Sequence, residues 1–202
     1  MSLPVRPTAD EVNPERGMMP IPPQSQPQRI VAFLTQLLGI FVKLSHLGEF
    51  LSPPLAIYPT PYAPHHQPDL LFVAGQCLKR HRKISTETPV DLVIDVIGDD
   101  SRAHTCAEAF DAYQAAGITE YWLLDLRYGS RRVELYTLDA KGHYQPVHAD
   151  REGCYHSTVL PGFWFKVDWV CNDEPPDVLQ ALAQIVGPRK FLEIQDSEAD
   201  KL

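Results

Sequence analysis

Apolar and polar positions alternate in two different rhythms along this chain, and the rhythm changes mark its elements. From Gln28 to Lys43, and on to Leu44, apolar residues recur at steps of three and four: Ile30, Phe33, Leu34, Leu37, Leu38, Phe41, Leu44. That spacing lays one apolar stripe along a helix. Gly48 and Pro53–Pro54 should end the unit. Short strands are expected at Leu55–Tyr58 and at Leu70–Ala74, separated by a loop from Pro59 to Gln67. Lys79–Lys83 (KRHRK) reads as a basic, solvated loop.

Val90–Ile97 (VDLVIDVI) carries apolar residues on both of its faces: Leu92, Ile94 and Val96 on one, Val93 and Ile97 on the other. A strand of that composition belongs in the middle of a sheet covered on both sides. A helix is expected over Ser101–Ala116, with Ser101 as N-cap and Gly117 as C-terminal stop. Its inner stripe would be Ala103, Cys106, Ala107, Phe110 and Tyr113. Tyr121–Asp125 and Arg132–Leu138 should form a strand pair across the Gly129–Ser130 turn. Short strands continue from Tyr144 to Phe165, divided at Gly153 and Pro161–Gly162, before a last helix at Val178–Val186. The order of elements predicts an α/β domain built on one mixed sheet flanked by helices. Its expected limits are 28–187, after a Pro- and Gln-rich extended arm over 1–27 and before a charged tail over 188–202.

Composition narrows the partners. The 202 residues have a hydrophobic fraction of 44%, as expected for one globular domain. The longest apolar stretch, Ile30–Leu44, is interrupted by Thr35, Gln36, Gly39 and Lys43, and neither a membrane span nor a signal peptide is expected. Cys77, Cys106, Cys154 and Cys171 have no paired or metal-finger spacing, so free thiols and a cytoplasmic setting are the simplest expectation. A net charge of −8 argues against a surface that grips nucleic acid everywhere. It leaves room for a carboxylate-rich metal site with a local basic strip.

Asp95 interrupts an apolar strand, where a lone carboxylate would carry a large desolvation cost. It is either bound to a metal or basic partner, or hydrogen-bonded to a loop at the strand end. Asp69, after Pro68, opens the preceding strand. Two such carboxylates, if convergent, suit Mg²⁺ or Mn²⁺, which take hard oxygen ligands and substrate phosphate. A turn into the strand is the plainer reading of Pro68–Asp69. Asp91 shares the face of Asp95 but lies too far along it to share an ion. Asp125 suits a structural role. His65–His66 reads as a solvated loop pair. The motifs of zinc proteases, serine-hydrolase elbows, P-loops and dinucleotide folds are absent.

From Asp91 to Asp125 the runs DLVIDVIGDDSR and AFDAYQAAGITEYWLLD, followed by RVELYTL, resemble the Uma-two-like family of proposed bacterial restriction endonucleases, within the PD-(D/E)XK superfamily. Pro68–Val73 is similar to the first strand of that family. The resemblance covers roughly residues 28–165 and implies a restriction-endonuclease-like fold and a Mg²⁺-dependent deoxyribonuclease. It places Asp69 and Asp95 as metal ligands, Asp95 where the family usually has Glu. Ile97 stands in the superfamily's lysine slot, and Ala109 where the family carries a helix lysine. Thr105, Gly98 and Val90 depart from the pattern as well.

The lysine is expected to orient the attacking water or stabilise charge on phosphate. Arg102 or His104 would have to assist in its place. Lys79, Arg80 and Arg82 would contact a DNA backbone, although a plain basic loop is the competing reading. Two functions follow as expectations: a metal-dependent DNA hydrolase with an impaired site, or a catalytically inactive protein of this fold that binds or assembles, either of them as a homodimer.

Overall fold

The computed structural model describes residues 25–52, 66–80, 89–99, 104–189 and 191. Helix α1 spans Gln26–Leu44, with Pro27 in its first turn and the Gln28 side chain accepting the Ser25 N–H at 3.0 Å. By length and composition α1 could cross a membrane. In the fold, seven of its residues, Ile30 to Val42 along the predicted stripe, are buried in the core.

A six-stranded sheet follows: β1 (Gly48–Leu51), β2 (Leu70–Ala74), β3 (Leu92–Ile97), β4 (Glu120–Asp125), β5 (Arg132–Leu138) and β6 (Tyr144–Val147). Spatial order equals chain order, and every pairing is antiparallel except β3 with β4. That parallel pair needs a crossover, supplied by α3 (His104–Ala115). Helix α2 (Gly75–Arg80), the β7–β8 hairpin (Cys154–His156 and Trp164–Lys166), α4 (Asp168–Cys171) and α5 (Val178–Val186) complete the described chain.

Both faces of the sheet are covered, as β3 requires. On one face α1, α5 and the β7–β8 hairpin bury Leu92, Ile94, Trp122, Leu124, Phe163 and Phe165. The other face is smaller and rich in tyrosine. Val93, Tyr113, Tyr121 and Tyr144 pack there under α3.

Several expectations are corrected. Gly48 does not end the first unit but opens β1. A Cβ there would sit 2.1 Å from the Val73 carbonyl oxygen, so the edge strand approaches β2 at a glycine. Lys79 and Arg80 are not loop residues, since they close α2. Ala107 is exposed and Ala109 buried on α3. At 100° per residue the two lie ~200° apart around the helix, and alanine alone does not reveal which side faces in. His66 is buried rather than solvated, its ring edge-on to Tyr113 at 5.6 Å. The proposed strand at 55–58, His65, Arg82, Ser101, Arg102 and Ala103 lie outside the described residues.

Other expectations hold. Gly117, at φ 75°, stops α3 while Ile118 N–H returns to the Tyr113 carbonyl at 3.1 Å. Cys154 and Cys171 are free thiols.

Candidate active site

Strand register decides whether the two predicted aspartates meet. β2 and β3 run antiparallel with Leu70 opposite Ile94 and Leu71 opposite Val93. One residue further, the same register sets Asp69 opposite Asp95. Directly opposed residues have Cα atoms ~4.5–5.5 Å apart and side chains on one face. The hydrogen bonds agree. Val96 N–H donates to Asp69 Oδ2 at 2.7 Å. In return the Asp69 N–H donates to the Asp95 carboxylate.

The row continues across the sheet through Leu123 on β4 to Glu134 on β5. The next row reads Leu71, Val93, Tyr121, Tyr136. Tyr121 reaches back to the acidic row, its hydroxyl donating to Asp95 Oδ2 at 3.0 Å. Tyr121 stands among aromatic rings, with Tyr113 at 5.2 Å and Tyr144 at 6.0 Å.

Burial pushes the Asp95 carboxyl up to about 7, the negative charge of Asp69 adds to the rise, and the Tyr121 hydrogen bond opposes it. Burial also raises Asp69, against the Val96 hydrogen bond. No ion pair among the described residues involves either acid. Two like charges therefore face each other across a strand pair, an arrangement unfavourable without a cation.

Tyr144 completes the cluster. Its ring packs on Phe110 at 5.2 Å, and its buried hydroxyl has no hydrogen-bond partner. Burial raises its pKa, and the charge of Asp95 raises it further.

Two carboxylates offer hard oxygen atoms, which fit Mg²⁺ or Mn²⁺. Among the described residues no cluster of three or more His, Cys, Asp and Glu forms, so water and phosphate would complete the shell. The lysine positions are apolar: Ile97 is 6% exposed and Ala109 4%, the latter packed with Tyr113 and Tyr121.

The remaining predicted residues are placed unequally. His104 begins α3, and Lys79 and Arg80 end α2, which leaves β2 at the end remote from Asp69. Their side chains are outside the described atoms, as are Arg82 and Arg102 altogether. Asp91 is a hydrogen-bond acceptor for Ala74 N–H at 2.7 Å, apart from the pair. Asp125 is structural. Its carboxyl is held well below the usual range, first by hydrogen bonds from Arg127, with that guanidinium at 2.6 Å. A cavity of about 300 Å³ lies on the opposite face, beside Pro27, Val96 and Arg131, and includes neither Asp69 nor Asp95.

Sequence reasoning missed Glu120, which is fully buried on the face opposite Asp95. Its Oε1 accepts from Trp122 Nε1 at 2.6 Å and Tyr155 OH at 2.8 Å. Its Oε2 accepts from the hydroxyls of Ser157 and Thr158 and from the N–H groups of Thr158 and Val159, at 2.8–3.1 Å. An acid heading the apolar run EYWLLD was the available signal. Its partners other than Trp122, 35–39 positions downstream, were not visible from it.

A central mixed sheet with an acidic pair on neighbouring strands defines a nuclease-like α/β protein. The chain belongs to the Uma2 family, described as "Putative restriction endonuclease", whose model matches residues 15–168. Among solved structures it is similar to "a putative nuclease belonging to DUF820" from Anabaena variabilis. The TM-score is 0.58 at 12% identity, over 74% of this chain and 82% of that one. At that identity the likeness concerns the fold. None of the curated proteins matches the chain.

Proposed function

We propose that this protein is a metal-dependent DNA endonuclease whose Asp69–Asp95 pair holds Mg²⁺ or Mn²⁺, with a hydrolytic step slowed by the missing lysine. The observation that carries the reading is the register that sets the two carboxylates opposite one another, with no basic partner among the described residues. A divalent cation would remove their repulsion and replace the water that burial has stripped from Asp95. When bound, such an ion polarises a phosphodiester and makes water a better nucleophile.

The chain's own residues fix the geometry. Val96 N–H orients Asp69 through one oxygen, and Tyr121 orients Asp95. Ala109 offers no charge to the developing phosphate anion, which lowers the expected rate. Arg102, two residues ahead of α3 in the sequence, and His104, which begins α3, are the candidates to assist, and Lys79, Arg80 and Arg82 those to contact the backbone of DNA.

Calorimetric titration of Mn²⁺ into wild type and Asp95→Ala, with nicking of supercoiled plasmid alongside, tests this. We expect binding in the wild type, its loss in the variant, and slow nicking that disappears with it. Binding without nicking would favour the inactive, binding-only reading, and no heat from the wild type would refute the metal site itself.

A further inference from the structure

Tyr144 carries a polar atom that the fold leaves unsatisfied. The residue is 7% exposed and its hydroxyl has no hydrogen-bond partner. A buried hydroxyl in that state destabilises the fold, and phenylalanine would fill the same space without the cost. The ring is held firmly. Phe110 contacts it at 5.2 Å, Tyr136 at 6.1 Å and Tyr121 at 6.0 Å, while the Gln114 side chain accepts the Tyr144 backbone N–H at 2.7 Å. Neighbouring tyrosines differ in this respect. Tyr136 donates to Glu134 at 2.8 Å and Tyr121 to Asp95 at 3.0 Å. Of these three only Tyr144 has an O–H without a partner, and its ring lies 6.0 Å from that of Tyr121, which hydrogen-bonds Asp95.

We infer that the Tyr144 hydroxyl donates a hydrogen bond to an oxygen-bearing ligand held in front of Asp69 and Asp95. It supplies, from β6, a polar contact on the Tyr121 side of Asp95. The ligand oxygen belongs either to the hydration shell of a divalent cation or to a phosphate of bound nucleic acid. In both, a neutral phenol is a suitable donor because it adds no charge to compete with the cation. This inference rests on the metal-site reading of the acidic pair.

The test compares wild type, Tyr144→Phe and Tyr136→Phe. Mn²⁺ affinity is measured by calorimetry, first alone and then with a short DNA duplex present. Thermal unfolding without ligand confirms that each variant is folded. Tyr144→Phe is expected to weaken binding roughly 3- to 10-fold, about one hydrogen bond, and to leave unliganded stability unchanged or raised. Tyr136→Phe should bind Mn²⁺ as wild type does.

A loss seen with Mn²⁺ alone assigns the contact to the hydration shell, whereas a loss seen only with DNA assigns it to phosphate. Wild-type affinity in Tyr144→Phe under both conditions overturns the inference while leaving the metal site standing. An equal loss in Tyr136→Phe overturns it too, since packing would then explain the effect. Absence of Mn²⁺ binding by the wild type removes the metal site and this inference together.

Discussion

Glu120 and Asp95 are acids on adjacent strands of one sheet, facing opposite ways, and their surroundings could hardly differ more. Glu120 receives six hydrogen bonds, from Trp122, Tyr155, Ser157, Val159 and twice from Thr158. Five of those six bonds exist only once the β7–β8 hairpin has docked. Asp95 has a tyrosine hydroxyl and the backbone N–H of Asp69, and must also tolerate the Asp69 charge. A buried acid surrounded by donors is a structural bolt. One left short of donors beside a like charge marks a place where something else binds. Burial alone does not separate the two; the donor inventory does.

The contrast can be broken most forcefully at Glu120. Glu120→Ala strands the Trp122, Tyr155 and Thr158 donors in the core and should cost on the order of 4 kcal/mol or prevent folding. Chemical denaturation measures this, and a loss below ~1 kcal/mol would show that the hairpin donors find other partners.

Asp95→Asn should act in the opposite direction. The folded-state pKa of Asp95, about 7, lies above its ordinary 3.8, so the folded state holds this proton more tightly than the unfolded one. Stability attributable to Asp95 therefore falls as pH rises from near 4 through 7 and stays low above that. The asparagine variant should gain roughly 1–3 kcal/mol at pH 8 without metal and almost nothing at pH 4. A variant less stable than wild type at pH 8 would show that Asp95 is satisfied like Glu120.

Tyr121→Phe removes a donor that opposes the rise, so the Asp95 midpoint should move upward and Mn²⁺ affinity near neutral pH should fall, by roughly 3- to 10-fold for one hydrogen bond. NMR titration of the carboxyl carbon reads the first effect and calorimetry the second. The smallest change is expected for Thr158→Val. One hydroxyl of six donors is lost, the Thr158 N–H remains, and about 0.5–1 kcal/mol should disappear.

Much of this was legible in the chain. LLFVA, RVELYTL and VLQALAQIV form elements with the predicted limits, because each carries an unambiguous period between strong stop signals. β3 declares its central position through apolar residues on both faces. β1, α2 and α4 were missed since four to six residues are too few to establish a period. The individual acids at 69 and 95 could be proposed from strand position and from family resemblance. Their pairing depends on register between strands 17 residues apart in sequence, between Ala74 and Asp91, and no local pattern encodes that. Glu120 and Tyr144 were harder still, because the significance of each lies in what does or does not surround it.

The sheet's spatial order, identical to its chain order, also has a bearing on how the protein is made. Each strand of the six finds its partner in the next along the chain, and among the described residues the one crossover, through α3, joins immediate neighbours. Such pairings keep loop-closure entropy low and favour rapid zippering from β3, α3 and β4 outward. The distant contacts are those of α1 with its far side, where Gln26 and Arg29 donate to the carbonyls of Asn172 and Asp173. Helix α1 thus emerges before the strands it covers, and its stripe can pack on β1 and β3 as they appear, whereas the Gln26 and Arg29 bonds must wait until residue 173 has followed.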